Sequence, residues 1–467
     1  MTHARDEEVL ETPLAAEAAP AKRDRLVSLD AFRGFVIASM LLVNTTWNED
    51  AWGGGFGRSL ALQLGHVPWN SGVQGATFTD LVFPWFLFIV GAAAPLSMRS
   101  GRGRDRPRWK RLAIALRRGA VIYLLGVLLT HAGSWLERPA AWTDALSWNI
   151  LQIIGAAYVA TVAITMLPRW AWWASLGGIL AVKMAVMLAI DAEWVRSVMA
   201  GAGLEPRGAT EATGHGTFTH FDDVKRFLNR EHVDPSAGAW AAFDRRGIGW
   251  LGAAQQWLPA AAIAVGGALT VDWISRERLE GWRRIAAPIA IGALACLLAA
   301  VLGWGYSPGG GGLLGPLTIP ASKWLFSPAY CLLSIGSGAV LLTLFFAVID
   351  AGGARWAAAP WRVFGVNAIA VYVGAELCYK LAFSRWLLPV PGGEGGASSV
   401  PGAINAWAAW WLPEGELASW GAIGGAEWAA GRLDWLAISG LAFSVMWLAG
   451  WWAVCRWLDH RKIYIRV

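Results

Sequence analysis

Asn44, His66 and Asp80 are an amide, an imidazole and a carboxylate spaced so that the apolar runs around them bring all three to one membrane face. That set suits acyl transfer, which needs a base or nucleophile, a group to orient it and a hydrogen-bond donor for the carbonyl oxygen. A neutral imidazole at His66 can take the proton of an attacking amine or hydroxyl, or can itself attack a thioester. Each residue also has a plainer reading. Asn44 can bond a neighbouring helix, His66 can be solvated in a loop, and Asp80 can cap the helix that opens at Phe78. Pro84 lies inside that same apolar run, where it frees a carbonyl and bends the helix.

Other polar residues fall where lipid should exclude them. Asp30 and Arg33 stand at an i, i+3 spacing at the start of the first run, as an interfacial anchor pair or as contacts for an anionic ligand. Lys183, Asn367 and Glu376 lie within spans, and ionisable groups there are functional or paired. Glu376 can pair with Lys380 at i, i+4 or meet a substrate. His215, His220 and His232 lack a metal-ligand spacing, so no metal is assigned. Cys296, Cys331, Cys378 and Cys455 sit in apolar runs without a CxxC pair and read as buried hydrophobes.

Positioning these groups takes a membrane bundle. With 56% hydrophobic and 15% charged residues in 467, the chain has more apolar material than a soluble domain of this length buries. The net charge of +6 is concentrated in short blocks, which argues against nucleic-acid binding. Roughly ten runs reach the ~20 residues that a span requires. They cover 26–46, 78–98, 112–130, 148–167, 170–190, 250–271, 284–304, 323–349, 360–382 and 434–458. Lys and Arg gather in alternate loops, at 22–25, 99–111, 276–284, 355–362 and 456–466, which predicts an all-α polytopic bundle with both termini cytoplasmic. Residues 1–25 read as a disordered cytoplasmic tail and 26–467 as the transmembrane domain. The long segments 191–249 and 383–433 fall on the outer side, the first with a polar, helix-compatible stretch from Phe221 to Arg230.

Five motifs occur in order along the chain: Arg25-Leu-Val-Ser-Leu-Asp-Ala-Phe-Arg-Gly34; His66-Val-Pro-Trp-Asn70 followed by Phe78-Thr-Asp-Leu-Val-Phe-Pro-Trp-Phe86; Leu151-Gln152 with Gly155; Ala242-Phe-Asp244 with Gly247; and Gly365-Val-Asn-Ala-Ile-Ala-Val-Tyr-Val-Gly374. Together they resemble the heparan-alpha-glucosaminide N-acetyltransferase family and its bacterial homologues. The resemblance implies an integral enzyme of a bacterial inner membrane that takes acetyl from cytoplasmic acetyl-CoA, with no metal, and delivers it to an amino sugar on the far side. It also implies that His66 and Asn44 are the catalytic pair; Asp80, grouped with them by its place at the same membrane face, is the third catalytic candidate. Asp30, Arg33 and Asn367 then become candidates for binding acetyl-CoA, and Trp69, Asn70 and Glu376 for the saccharide acceptor. Membrane lipid is the expected surrounding, and a homodimer is compatible with this reading. The sequence departs from the family at Ile153, where the pattern has Arg, and at Ala375, where it has His. Those departures keep two alternatives open, an O-acyltransferase of a cell-envelope glycan and a non-catalytic, transporter-like membrane protein.

Overall fold

The computed structural model describes residues 26–45, 63–65, 76–99, 106–141, 144–145, 149–189, 238–276, 279–305, 312–319, 321–323, 326–383, 385–390, 397–400, 402–404, 407 and 431–465, with backbone alone for 238–255 and 431–440. Its long helices are α1 (Val27–Thr45), α2 (Phe78–Arg99), α3 (Arg108–His131), α4 (Ile150–Thr165), α5 (Arg169–Ala189), α6 (Gly238–Ile274), α7 (Gly281–Gly303), α8 (Pro328–Phe346), α9 (Ala359–Val366), α10 (Ala368–Cys378) and α11 (Gly431–His460). Among the described residues eight helices are long and apolar enough to cross a membrane. The pair α9 and α10 forms a ninth span bent by 63°, and the shorter apolar α4 falls on the remaining expected run. The protein is an all-α polytopic bundle. Large side chains such as Leu294, Leu297 and Leu298 of α7 and Leu124 of α3 stand exposed on its outside, as lipid-facing residues should.

Three boundaries differ from the sequence reading. Helix α6 begins at Gly238, inside the segment expected to be an outer loop, because the helix formers Ala239, Ala241, Ala242, Arg245 and Arg246 precede the apolar run. The segment 383–433 contains a short antiparallel ladder, β1 (Leu387–Pro389) with β2 (Ala397–Ser399), and its last residues already belong to α11. The ninth span is broken at Asn367 rather than continuous. The stretch Phe221–Arg230 and the tail 1–25 lie outside the described residues.

Helix α6 is the centre. Ala260, Ala261, Ala262, Ile263, Ala264, Val265 and Ala268 have no exposed surface. In lipid two helices gain little by hiding apolar surface from each other, so they associate through close packing. Small residues allow it. A Cβ on Gly91 of α2 would fall on the Ala264 carbonyl, and one on Gly267 would fall on the Phe88 carbonyl. The same reciprocal fit joins α1 to α9, where Gly34 meets the Trp361 carbonyl and Gly365 meets that of Asp30.

Pro84 removes the amide that would bond the carbonyl of Asp80. The hydroxyl of Tyr330, fully buried at the start of α8, donates to that carbonyl at 2.6 Å. Tyr330 is itself placed by an N-terminal cap: Ser327 Oγ accepts its amide at 3.3 Å, and Pro328 occupies the first turn.

Replacing Gly365 by Val should drive a side chain into the α1 backbone and cost at least the upper end of the ~1–3 kcal/mol typical of overpacking. The expected result is a marked drop in Tm or loss of the monodisperse protein, while Gly177→Val, which meets open space, should leave Tm nearly unchanged. Sidedness is checked with reporters: a cytoplasm-specific reporter fused after Met98 or Ile274 should be active, and one fused within 383–433 inactive.

Candidate functional site

The end of the bundle where α1 and α10 finish and α2 begins holds Asn44, Glu376 and Asp80 of the residues singled out for chemistry. Asn44 is exposed in the last turn of α1, and its Nδ2 donates to Oε1 of half-buried Glu376 on α10 at 2.7 Å. An ionised carboxylate only accepts, so the bond fixes the rotation of the amide: nitrogen toward Glu376, Oδ1 away from it. This joins a residue expected to act in catalysis to one expected to meet the acceptor. They are far apart in sequence, and the parallel course of α1 and α9–α10 makes the contact.

Asp80 is used differently. Its Oδ2 accepts from the Thr77 amide at 3.3 Å and the Thr77 hydroxyl at 3.1 Å, and Thr77 Oγ1 lies 3.3 Å from the Asp80 amide. This is a capping box at the start of α2, with Thr77 as the cap and Asp80 three residues on. The same Thr77 hydroxyl is 2.7 Å from the Gly65 carbonyl, and that of Thr79 is 2.7 Å from Leu64 O. Gln63 Oε1 accepts the Phe78 amide at 3.0 Å. The start of α2 therefore grips residues 63–65, one peptide bond before His66. His66, Trp69 and Asn70 lie outside the described residues. Lys323 Nζ, 3.6 Å from Asp80 Oδ1, balances the buried carboxylate. Burial pushes the Lys323 ammonium below the usual lysine range, and the charge of Asp80 works against that shift.

A second cluster edges the same end. Asp144 accepts both terminal nitrogens of Arg138, at 2.9 and 3.0 Å, the Trp135 indole at 2.8 Å and the Ala141 amide at 3.0 Å. Those donors, the Arg138 guanidinium foremost, hold its carboxyl well below the usual range. His131 Nδ1 lies 3.8 Å from Asp144, and its ring stacks on Trp135. Lys380 Nζ reaches the Leu129 carbonyl at 3.0 Å and ties α3 to the turn after Glu376. The sequence reading did not single out Lys323, Thr77, His131 or Asp144. Of these, the Thr-x-x-Asp spacing at 77–80 was legible as a capping signature.

At the opposite end Asp30 and Arg33 pair at 3.5 Å. Asp350 accepts the amides of Val27 and Ser28 at 3.2 and 3.0 Å, favourable for a carboxylate at a helix N-terminus. Asn367, with no exposed surface, sits at the break between α9 and α10. Its amide donates to Ile463 O at 3.1 Å and accepts from the Ile465 amide at 2.8 Å, which fastens the chain after α11 beneath the break. That end thus holds an ion pair of buried Asp30 with partly exposed Arg33, and a buried amide engaged by the C-terminal segment. Among the described residues no group of three His, Cys, Asp or Glu side chains could hold a metal.

A family profile described as a domain of unknown function (DUF5009) matches residues 25–190. Heparan-alpha-glucosaminide N-acetyltransferase from Mus musculus is 24% identical over 407 residues, covering 80% of this chain and 58% of that protein. The enzyme of the same name from Homo sapiens is 25% identical over 392 residues, covering 78% and 54% respectively. The chain is thus a distant relative of these acetyltransferases and spans somewhat more than half their length.

Thr77→Val removes both the cap and the anchor of Gly65. It should cost about 1 kcal/mol, as loss of a Thr cap generally does, and should speed amide exchange in peptides that contain residues 63–65. Tm and hydrogen-exchange mass spectrometry check both. Unchanged exchange there would mean that α2 does not hold the segment leading to His66.

Proposed function

We propose that this protein is a membrane acetyltransferase that moves acetyl from cytoplasmic acetyl-CoA to the amine of a glucosamine-type sugar at the outer face. The observation that carries the reading is the bond between Asn44 and Glu376 at the bundle end where residues 63–65 lead into His66. Its distant relatives are heparan-alpha-glucosaminide N-acetyltransferases, which supports the same reaction class.

In this mechanism the thioester carbonyl carbon lies at the Asn44 end and the sugar amine attacks it. His66 takes the proton of the amine as the new C–N bond forms. Negative charge collects on the carbonyl oxygen, where the second N–H of Asn44 donates to it; because Glu376 already orients that amide, little reorganisation is needed in the transition state. The C–S bond then breaks, and the imidazolium returns its proton to the departing thiolate. The carboxylate of Glu376 also favours an amino sugar that arrives as its ammonium and releases one proton to water before the neutral amine attacks, and Trp69 and Asn70, four residues or fewer from His66 in sequence, are assigned the sugar ring and its hydroxyls. Asp80 is a positioning residue: it holds Thr77, and Thr77 holds Gly65. The nucleotide end of the donor stays at the cation-rich face, about a membrane thickness from His66.

Purified protein given radiolabelled acetyl-CoA should label glucosamine-type amines in preference to sugars that offer only hydroxyls. His66→Ala should lower transfer by at least ~10²–10⁴-fold and leave the Tm increase caused by acetyl-CoA nearly intact. Asn44→Ala should cost on the order of 10²-fold. Near wild-type transfer by the His66 variant would refute the assignment, and preferential labelling of hydroxyl acceptors would point to O-acylation.

A further inference from the structure

We infer that the three arginines around Asp272, at the cation-rich end of the bundle, form a binding site for a phosphate group. Asp272 lies in the last turn of α6, and its side chain is 2% exposed. Three guanidiniums converge on it. Arg99 from the end of α2 and Arg169 from the start of α5 share Oδ1, the latter at 3.0 Å, and Arg276 bonds Oδ2 at 3.0 Å. Among the described residues Asp272 is the one carboxylate that any of the three pairs with, so three positive charges meet one negative charge. A lock that only tied α2, α5 and α6 together would need no such excess, since like charges held a few ångströms apart repel.

The geometry says where a compensating anion would sit. Each guanidinium spends one terminal nitrogen on Asp272 and keeps further N–H donors in its planar fork. The side chains are 42% exposed at Arg99, 59% at Arg169 and 33% at Arg276, so the unused donors open toward water at the edge of the bundle. Among the described residues the buried Nε of Arg276 and the hydroxyl of Ser275 find no hydrogen-bond partner. Arg276 also lies over the Trp273 ring at 4.6 Å, which holds its plane and leaves its edge free to bond. A fork-like set of donors with two surplus charges fits a phosphate better than a carboxylate, because its several oxygens can accept from more than one guanidinium at once.

Two sources of that chemistry reach this face: the phosphates of a nucleotide such as coenzyme A, and the headgroups of anionic phospholipids. The nucleotide source rests on the proposed function; the lipid source does not. Arg169 is the residue to change, being the most exposed of the three and sharing its oxygen with Arg99.

The full chain is placed in nanodiscs of phosphatidylcholine, with or without phosphatidylglycerol, and coenzyme A binding and Tm are measured for wild type, Arg169→Gln and Arg169→Lys. A nucleotide site predicts that Arg169→Gln weakens coenzyme A at least about tenfold, as loss of a charged hydrogen bond does, with 3′-dephospho-coenzyme A reporting which phosphate is held. A lipid site predicts instead that the Tm increase given by phosphatidylglycerol is lost in Arg169→Gln while coenzyme A affinity is unchanged. In either case Arg169→Lys should recover part of the effect, because it keeps the charge and loses the fork; should Arg169→Gln not fold, the Lys variant alone should show the same loss in weaker form. If neither ligand response differs from wild type in any variant, the cluster is a structural lock and the inference falls. Wild type that binds no coenzyme A yet gains Tm from phosphatidylglycerol in an Arg169-dependent way would sink the acetyltransferase reading and leave the phosphate site standing.

Discussion

Hydrocarbon supplies no hydrogen bonds, so every backbone group that leaves the helical pattern inside this bundle must find a partner within the protein. The structure is organised by that requirement. Pro84 costs the Asp80 carbonyl its donor, and Tyr330 replaces it from another helix. The break at Asn367 interrupts the ninth span, and the chain after α11 bonds both ends of the Asn367 amide. Buried hydroxyls such as Thr161, Thr270, Ser334 and Thr343 turn back on carbonyls of their own helices. The Tyr330 and Asn367 bonds also tie one segment of the chain to another, so these polar contacts are also places where the bundle is pinned.

Close packing does the rest. Reciprocal glycine contacts bring α2 against α6 and α1 against α9 backbone to backbone, which leaves no slack for one helix to slide along the other. The consequence for chemistry is direct. Because α1 is seated on α9 at Gly34 and Gly365, its far end is carried alongside α10, and Asn44 arrives within hydrogen-bonding distance of Glu376. The catalytic role proposed for this amide depends on such a support, since a group displaced by an ångström loses much of its effect.

The two ends of the molecule use charge in opposite ways. At the Asn44 end Asp80 meets Lys323 and Asp144 meets Arg138, so these two carboxylates are balanced and serve to hold loops and helix starts. At the other end cations outnumber their partners around Asp272, and Arg33 remains partly exposed beside Asp30. A surface with spare guanidiniums attracts phosphate. The proposed function uses that difference between the faces, with the nucleotide donor at one and the amine acceptor at the other.

The sequence by itself determined the class of the protein. Runs of ~20 apolar residues admit no other placement for a helix than across lipid, and the ten expected runs each coincide with a helix or a bent pair of helices among the described residues. It also marked Asn44, Asp80, Asn367 and Glu376 as polar groups in need of a reason, because a polar group in hydrocarbon always has one. What each does was decided only by the tertiary structure. Asp80, grouped with the chemistry on position alone, is engaged in capping α2; Glu376, paired on paper with Lys380 by helical spacing, bonds Asn44 across 332 residues of chain. Asn367 turned out to mark a break. Periodicity reports which residues share a face of one helix, and it carries no information on which helices are neighbours or how they are rotated. Thr77 lies three residues from Asp80 and Arg276 four from Asp272, within reach of a spacing rule, but Lys323, Asn44, Arg99 and Arg169 come from other helices or from loops between them, and no spacing rule could have found those.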